Sequence, residues 1–517
     1  MSEKEYSSDD GSAVAAPEVF ERPKGLRGWY SHPATQVAML GLVSFMCPGL
    51  FNALSASYTL LHFLYVLYVP SVPRELRRDF LTRPLGGIGG GGQVDATTAD
   101  NANVALYSTF CVMAFFAGSV NNKIGPLLTL QLGSLGYGLY IGSFLALNIH
   151  PNAHWFVITA GAILGVCAGL LWTAQGCLML AYPTEGDKAK FIAIFWAIFN
   201  LGGVLGSAIA FAINFKNPAG NASNGTYIAF LILTIIGACI PFLMTKPKDV
   251  IRTNGTKARL PIPVNPSWKV EIIGLYVALK TDPMIILLFP MFFASNWFYA
   301  WQFNDFNGAL FNIRTRSLNS MLYWASQVVG SLIMASVLDR KNLTRRTRAL
   351  IGWAMVFVMV FVVHGWAMAY VHEYNRDSPI VTDPTLRIDF SEKRYIGRVF
   401  LYIFFGLLDS MWQTTVYWMM GAMSNDPSKL AYFTGFYKSI QSVGSVGSWR
   451  IDAVKTPFIN LFASTWALSG AGLLFALPMI YLRVKDTTEL EDEAIIRMDE
   501  DGHVQPTEVA AAKLVKA

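Results

Sequence analysis

Apolar residues along this chain gather into long runs separated by short polar loops, and the runs lack the polar stripe that a soluble amphipathic helix repeats every turn. A bilayer core about 30 Å thick is crossed by roughly 20 apolar residues of helix. Twelve runs approach that length: 37–55, 104–120, 127–147, 155–182, 191–215 and 227–244, then 283–301, 317–338, 349–371, 395–423, 431–448 and 458–482. A polar, basic, Pro-rich segment over 245–282, with KPKDVIRTNGTKARLPIPVNP, separates the first six from the last six and reads as a linker. The pattern predicts an all-α membrane protein. It has a six-helix bundle over 37–244, a second over 283–484, a disordered tail over 1–36 and a charged tail over 485–517.

One stretch fits poorly. The apolar part of 56–85 is too short to span and ends at Pro70 and Pro73, and its basic half carries Arg74, Arg77, Arg78 and Arg83. It reads as an anomalous insertion on the outer side, or as translated intron. Short cytoplasmic loops are enriched in Lys and Arg. Placing both termini inside puts Lys188, Lys190, the linker cluster, Arg340, Lys341, Arg345, Arg346 and Arg348 on that side. The plasma membrane and a vacuolar or other endomembrane both fit.

Composition narrows the classes. Charged residues are 14% of the chain against about 25% in a soluble protein, and hydrophobic residues are 53%. The net charge of +6 comes with no Lys/Arg block interleaved with aromatics, so a nucleic-acid partner is not expected. The five cysteines lie in apolar stretches without CxxC spacing and read as small buried hydrophobes. GGIGGGG opens no βαβ unit, and the seven histidines have no metal-ligand spacing. Neither an enzyme nor a cofactor or metal is predicted.

The two halves repeat each other. GSVNNKIGP follows the second run and ASVLDRKNLTRR the eighth; aligning Gly118 with Ala335 aligns Asn122 with Asp339 and Lys123 with Arg340. NLGGVLGS in the fifth run matches QSVGSVGS in the eleventh, pairing Asn200 with Gln441, Gly203 with Gly444 and Gly206 with Gly447. Duplicated halves are common among transporters.

These loops resemble the signature of the major facilitator superfamily, which runs Gly, three residues, Asp, Arg or Lys, any residue, Gly, then basic residues. Gly118, Asn122, Lys123 and Gly125 carry the first copy, and Asp339 and Arg340 the second. The first copy departs at Asn122, where the signature has an acid, and at Pro126. FNALS with GGGGQ, NANVALYSTF, GSLGYGLYIGS, GLLWTAQGCLMLAYPTE, FWAIFNLGGVLGS, WFYAWQFNDFN and GFYKSIQSVGS resemble the fungal branch of the Unc-ninety-three (uncoordinated) family over nearly the whole membrane region. The resemblance implies a major-facilitator-type fold, about twelve transmembrane helices in two six-helix halves. It implies either a transporter of a small solute or, as animal relatives are, a non-transporting regulator or escort of a channel or receptor. Partners are then the lipid bilayer, a small-molecule solute of unknown identity and, on the second reading, another membrane protein.

By that resemblance the first, fourth, seventh and tenth helices line a central cavity. Their polar and aromatic residues are Asn52; Trp172, Thr173 and Gln175; Gln302, Asn304 and Asp305; and Asp409, Trp412, Gln413 and Thr414. Rings beside amides suit an organic solute, while helix-to-helix glue is the plainer alternative. Ionisable groups within spans are costly and face a cavity or a partner. Asp409 and Lys438 fall at similar depth on adjacent antiparallel helices, where they are expected to pair, either structurally or for ion coupling. Asp305, Arg450 and Asp452 form an expected outer gate, or a solvated helix end. Asp339 and Arg340, with the weaker copy Asn122 and Lys123, are expected to act on conformational equilibrium or simply to fix topology.

Overall fold

The computed structural model describes residues 20–49 except 22, 96–214, 224–257 and 268–486. Asn52, the insertion over 56–85, and most of both tails lie outside these residues.

The described residues are almost entirely helical. The first six long helices are α1 (Pro33–Ser44, continued by π turns over Phe45–Gly49), α2 (Ala96–Ile124), α3 (Pro126–Ile149), α4 (His154–Ala181), α5 (Lys188–Asn214) and α6 (Asn224–Leu243). A linker helix, Trp268–Thr281, precedes the second set. That set is α7 (the broken segment Pro283–Gly308), α8 (Ile313–Leu338), α9 (Arg345–Val371), α10 (Tyr395–Met423), α11 (Pro427–Ala453) and α12 (Phe458–Arg483). Among the described residues nine helices are long and apolar enough to cross a membrane. The helix α11 is not one of these nine because Lys438, Gln441 and the serines and glycines through its middle lower its hydropathy. Its polar side chains are instead buried against α2, α4 and α7.

Lipid-facing and inward-facing helices separate by burial. In the most apolar window of α10, 78% of residues are buried, against 33% in α9, so α10 is central and α9 peripheral. Exposed Val112, Leu135, Ile163, Ile232, Val358 and Phe475 belong to the apolar belt that hydrocarbon covers. The halves meet most extensively through α5 with α8 and α2 with α11. Gly118 permits the second: a Cβ there would stand 2.8 Å from the Ala431 carbonyl oxygen. Gly125, at φ +87°, turns the chain between α2 and α3, a conformation that side chains disfavour.

The face where α2, α4, α6, α8, α10 and α12 end is also where the linker lies, and is the linker face. Thr245 N donates to Gln36 Oε1 at 2.9 Å, tying the end of α6 to α1. Arg252 donates to the Ala181 carbonyl through Nε at 3.1 Å and Nη2 at 2.8 Å, satisfying an orphan acceptor at the end of α4.

The helix α7 is broken because its sequence asks for more than one geometry. Pro283 opens a 3-10 turn, Pro290 begins a short α-turn, and π turns run over Trp301–Gly308. The extra residue of a π turn re-aims side chains, and such turns concentrate at functional sites. Here they aim Gln302 and Asn307 at α8: Gln302 Oε1 lies 3.0 Å from Tyr323 Oη, and Asn319 Nδ2 donates to Asn307 Oδ1 at 2.9 Å.

Candidate functional site

Two opposite charges lie within the membrane-spanning part of the C-terminal half. Asp409 on α10 is buried, and its Oδ2 accepts from Tyr299 Oη at 2.8 Å, Gln327 Nε2 at 2.9 Å and Tyr323 Oη at 3.1 Å. Its Oδ1 accepts from Gln413 Nε2 at 3.4 Å, one turn along the same helix. Four donors around one carboxylate satisfy the ionised form, which an unpaired carboxylate in hydrocarbon could not sustain.

Lys438 on α11 is also buried but does not pair with Asp409, contrary to expectation. The side chains of Gln413 and Gln441 fill the space between the two helices and bridge the charges instead. Lys438 Nζ donates to Gln441 Oε1 at 2.8 Å, Gln441 Nε2 approaches Gln413 Oε1 at 3.4 Å, and Gln413 Nε2 reaches Asp409. Each amide turns its carbonyl toward the cation and its N–H toward the anion, so the relay has a direction. Asn296, Ser295 and Tyr437 hold it in place. Gln441 Nε2 donates to Asn296 Oδ1 at 2.9 Å with Ser295 Oγ 3.2 Å away, and Tyr437 Oη donates to Gln413 Oε1.

The remaining surface of the ammonium is aromatic. Its Nζ lies 4.6 Å from the Tyr437 ring centroid, 4.7 Å from Trp172 and 5.4 Å from Tyr417. Tyr417 and Tyr437 belong to the C-terminal half and Trp172 to α4 of the other, so both halves contribute to this box. Beside it, Tyr417 Oη donates to Gln175 Oε1 at 3.4 Å, a second bridge from α10 to α4. Trp172, Asn296 and Tyr299, which border the network, are only half-buried.

Of the residues singled out from sequence, Trp172, Gln175, Gln302, Asp409, Gln413 and Lys438 therefore converge. Among the described residues the buried Trp412 finds no partner for its indole N–H, nor does Thr414 Oγ1; both pack. Tyr299, Tyr323, Gln327, Tyr417, Tyr437 and Gln441 were not expected there. The glutamines carried a readable signal, amides inside apolar runs; the tyrosines did not, since a tyrosine suits a core equally well.

The expected outer gate is assembled differently. Asp452 Oδ1 pairs with Arg376 Nη2 at 2.7 Å, and Asp305 Oδ1 lies 3.7 Å from the same nitrogen. Asn304 Nδ2 donates to Asp452 Oδ2 at 2.7 Å. The cation is Arg376 from the α9–α10 loop, whereas Arg450 is exposed. Residue 450 lies two positions before Asp452, and that spacing points the two side chains away from each other on a helix. Every member belongs to the C-terminal half, so the cluster braces α7 against α11 and does not join the halves.

The halves join at the linker face. Asp339, at the end of α8, accepts from Ala189 N at 3.0 Å through Oδ1 and from Lys190 N at 2.6 Å through Oδ2, capping the start of α5 across the interface. Burial pushes its carboxyl up to about 6, against the two backbone N–H groups that favour its ionised form. The aligned residue Asn122 reaches the equivalent place, donating from Nδ2 to the Ser428 carbonyl at the start of α11 at 3.4 Å. An amide cannot supply the negative charge that a helix start favours, so the two copies are unequal. Arg340 is exposed, and Lys123 lies beside the turn at Gly125.

A second cross-half contact adjoins the first. Lys188 Nζ donates to Asn425 Oδ1 at 2.7 Å, to the Ser424 carbonyl at 3.0 Å and to the Gly421 carbonyl, neutralising the end of α10. Glu185 meets Arg345 at 3.7 Å.

Comparison with known proteins agrees with this architecture. A family model described as "Ion channel regulatory protein UNC-93" matches residues 91–464. A UNC93-like protein of Schizosaccharomyces pombe is 41% identical over 95% of this chain and 94% of its own length. UNC93-like protein 1 of Arabidopsis thaliana is 36% identical over 89% of this chain and 92% of its own. Among solved structures, a major facilitator superfamily proton:xylose symporter superposes with a TM-score of 0.56 over 90% of this chain and 99% of that one, at 12% identity. A bacterial homologue of the iron transporter ferroportin, outward-facing, also gives 0.56, over 87% and 98% at 8% identity. The chain belongs to the UNC-93 family and has the major-facilitator-type fold, a multi-pass membrane protein of two six-helix halves.

Proposed function

We propose that this chain carries a small solute across its membrane by alternating access, its halves 37–244 and 283–484 rocking about a site built on α4, α7, α10 and α11. The observation that carries this reading is the buried relay from Asp409 to Lys438, whose aromatic box both halves complete. Ionisable groups at that depth are expensive, and a purely structural bundle has cheaper ways to pack. The linker face, with both chain ends, is assigned to the cytoplasm of a plasma-membrane or endomembrane protein by the basic loops. The Asp339 and Lys188 contacts then close the inner side. Two proteins of the same fold, a proton:xylose symporter and a homologue of an iron transporter, support the same direction.

The family description favours a second reading, a membrane protein that regulates or escorts a channel. One experiment separates the two. The purified full chain is reconstituted in vesicles and screened for uptake of small organic solutes, alongside Asp409→Asn. Saturable uptake that Asp409→Asn abolishes supports the carrier. No uptake of any solute, together with a membrane protein that co-purifies stoichiometrically, supports the regulator.

A further inference from the structure

The two charges differ in what they can still bind. Asp409 has four donors on its two oxygens, so little acceptor capacity is left for a cationic ligand. The Lys438 ammonium has three N–H donors and one conventional acceptor, Gln441 Oε1. Its other neighbours are the faces of Trp172, Tyr417 and Tyr437, and among the described residues no carboxylate lies within ion-pair distance of it. A buried ammonium held only by an amide and rings is under-compensated compared with one that meets a carboxylate. A cationic solute would be repelled from a box that already holds a cation.

We infer that the solute is a small organic anion with an apolar body, recognised by its carboxylate at Lys438 and by its body at the rings of Trp172, Tyr417 and Tyr437. This rests on the carrier reading for transport, though not for binding. Because Trp172 comes from the N-terminal half, a ligand seated there touches both halves.

The test uses the purified full chain in detergent and the probes octanoate and phenylacetate, with phenylacetamide and phenethylamine as neutral and cationic counterparts. Thermal stabilisation is followed as a function of probe concentration. Saturable stabilisation is expected with the carboxylates alone; Lys438→Arg keeps it, and Lys438→Gln weakens apparent affinity at least ~10-fold, one charge-assisted contact's worth. Should Lys438→Gln fold poorly, Trp172→Ala gives an independent reading. It removes a ring on which the solute's apolar body rests, so carboxylates bind more weakly, by roughly 2–10-fold, and unchanged or tighter binding contradicts the inference. Equal or stronger response to the amide or the amine, or no response to either carboxylate, overturns the inference. Uptake in vesicles separates the two claims. Carboxylates that bind without being taken up refute the carrier and leave the anion site standing. Uptake of a neutral or cationic solute, with no carboxylate bound, refutes the anion site and leaves the carrier standing.

Discussion

The relay between Asp409 and Lys438 predicts a coupling between residues that do not touch. In Asp409→Asn the side-chain oxygen can keep the three donors now on Oδ2, but its amide N–H then faces Gln413 Nε2, donor against donor. If Gln413 turns its amide over, its Nε2 meets Gln441 Nε2; if Gln441 follows, its Nε2 meets the Lys438 ammonium. Somewhere along the chain one hydrogen bond to a charged group is lost, worth about 1.5–3 kcal/mol. Lys438→Met instead leaves the Asp409 charge unbalanced, at a cost of about 2 kcal/mol, below the 3–5 measured for breaking directly paired buried ions. In the double variant neither charge remains to be stranded. Unfolding free energies of the four proteins in mixed micelles should therefore be non-additive, the double variant losing at least ~1 kcal/mol less than the sum. Independent sites add within about 0.3–0.5 kcal/mol, and neutral hydrogen bonds between membrane helices average about 0.6. Additivity within that margin would refute the relay.

Two further outcomes follow from the contacts. The Asp339 carboxyl titrates at about 6 in the joined state and near its ordinary value of about 3.9 when exposed, so the joined state binds a proton more readily. Joining at the linker face therefore strengthens as pH falls through 6 and weakens toward neutrality; the labelling rate of Ser424→Cys, divided by that of the same cysteine in Asp339→Asn, should rise between pH 5.5 and 7.5, and a flat ratio contradicts this. In the outer cluster, Arg376→Met should destabilise by about 2 kcal/mol, less than a fully buried pair because the arginine is 25% exposed, whereas Arg450→Ala should stay within about 0.5 kcal/mol in the same unfolding assay.

Hydropathy located the helices well because lipid is the solvent for their outer faces, and periodicity does not have to compete with tertiary packing there. It failed where packing replaces lipid. The seventh run ends at residue 301 by hydropathy, yet α7 continues through Gly308, since Gln302 and Asn307 find partners on α8. The eleventh run spans 431–448 by hydropathy, yet α11 runs from Pro427 to Ala453, started by Asp426, whose side chain accepts from Ser428 N at 3.0 Å. The linker helix Trp268–Thr281 went unread because the prolines just before it dominate the segment. At the site, depth counting along α10 and α11 brought Asp409 and Lys438 to one level, but rotation about each axis decides contact. Rotation places two glutamines between them. Arg376 was invisible because a loop residue has no period, and only the folded chain brings it to Asp305 and Asp452. The duplication, by contrast, was legible to the residue: Asp339 and Asn122 occupy matching places against α5 and α11.

The claim that the halves exchange between joined and parted states at the linker face is tested most directly by distance. Spin labels at Lys190→Cys and Lys341→Cys sit on exposed positions flanking the Asp339 contact, one on each half. Pulsed dipolar spectroscopy of the full chain in lipid should resolve two separations, the shorter matching this structure, with Asp339→Ala shifting population toward the longer. A single short separation, unchanged by Asp339→Ala, would contradict the account.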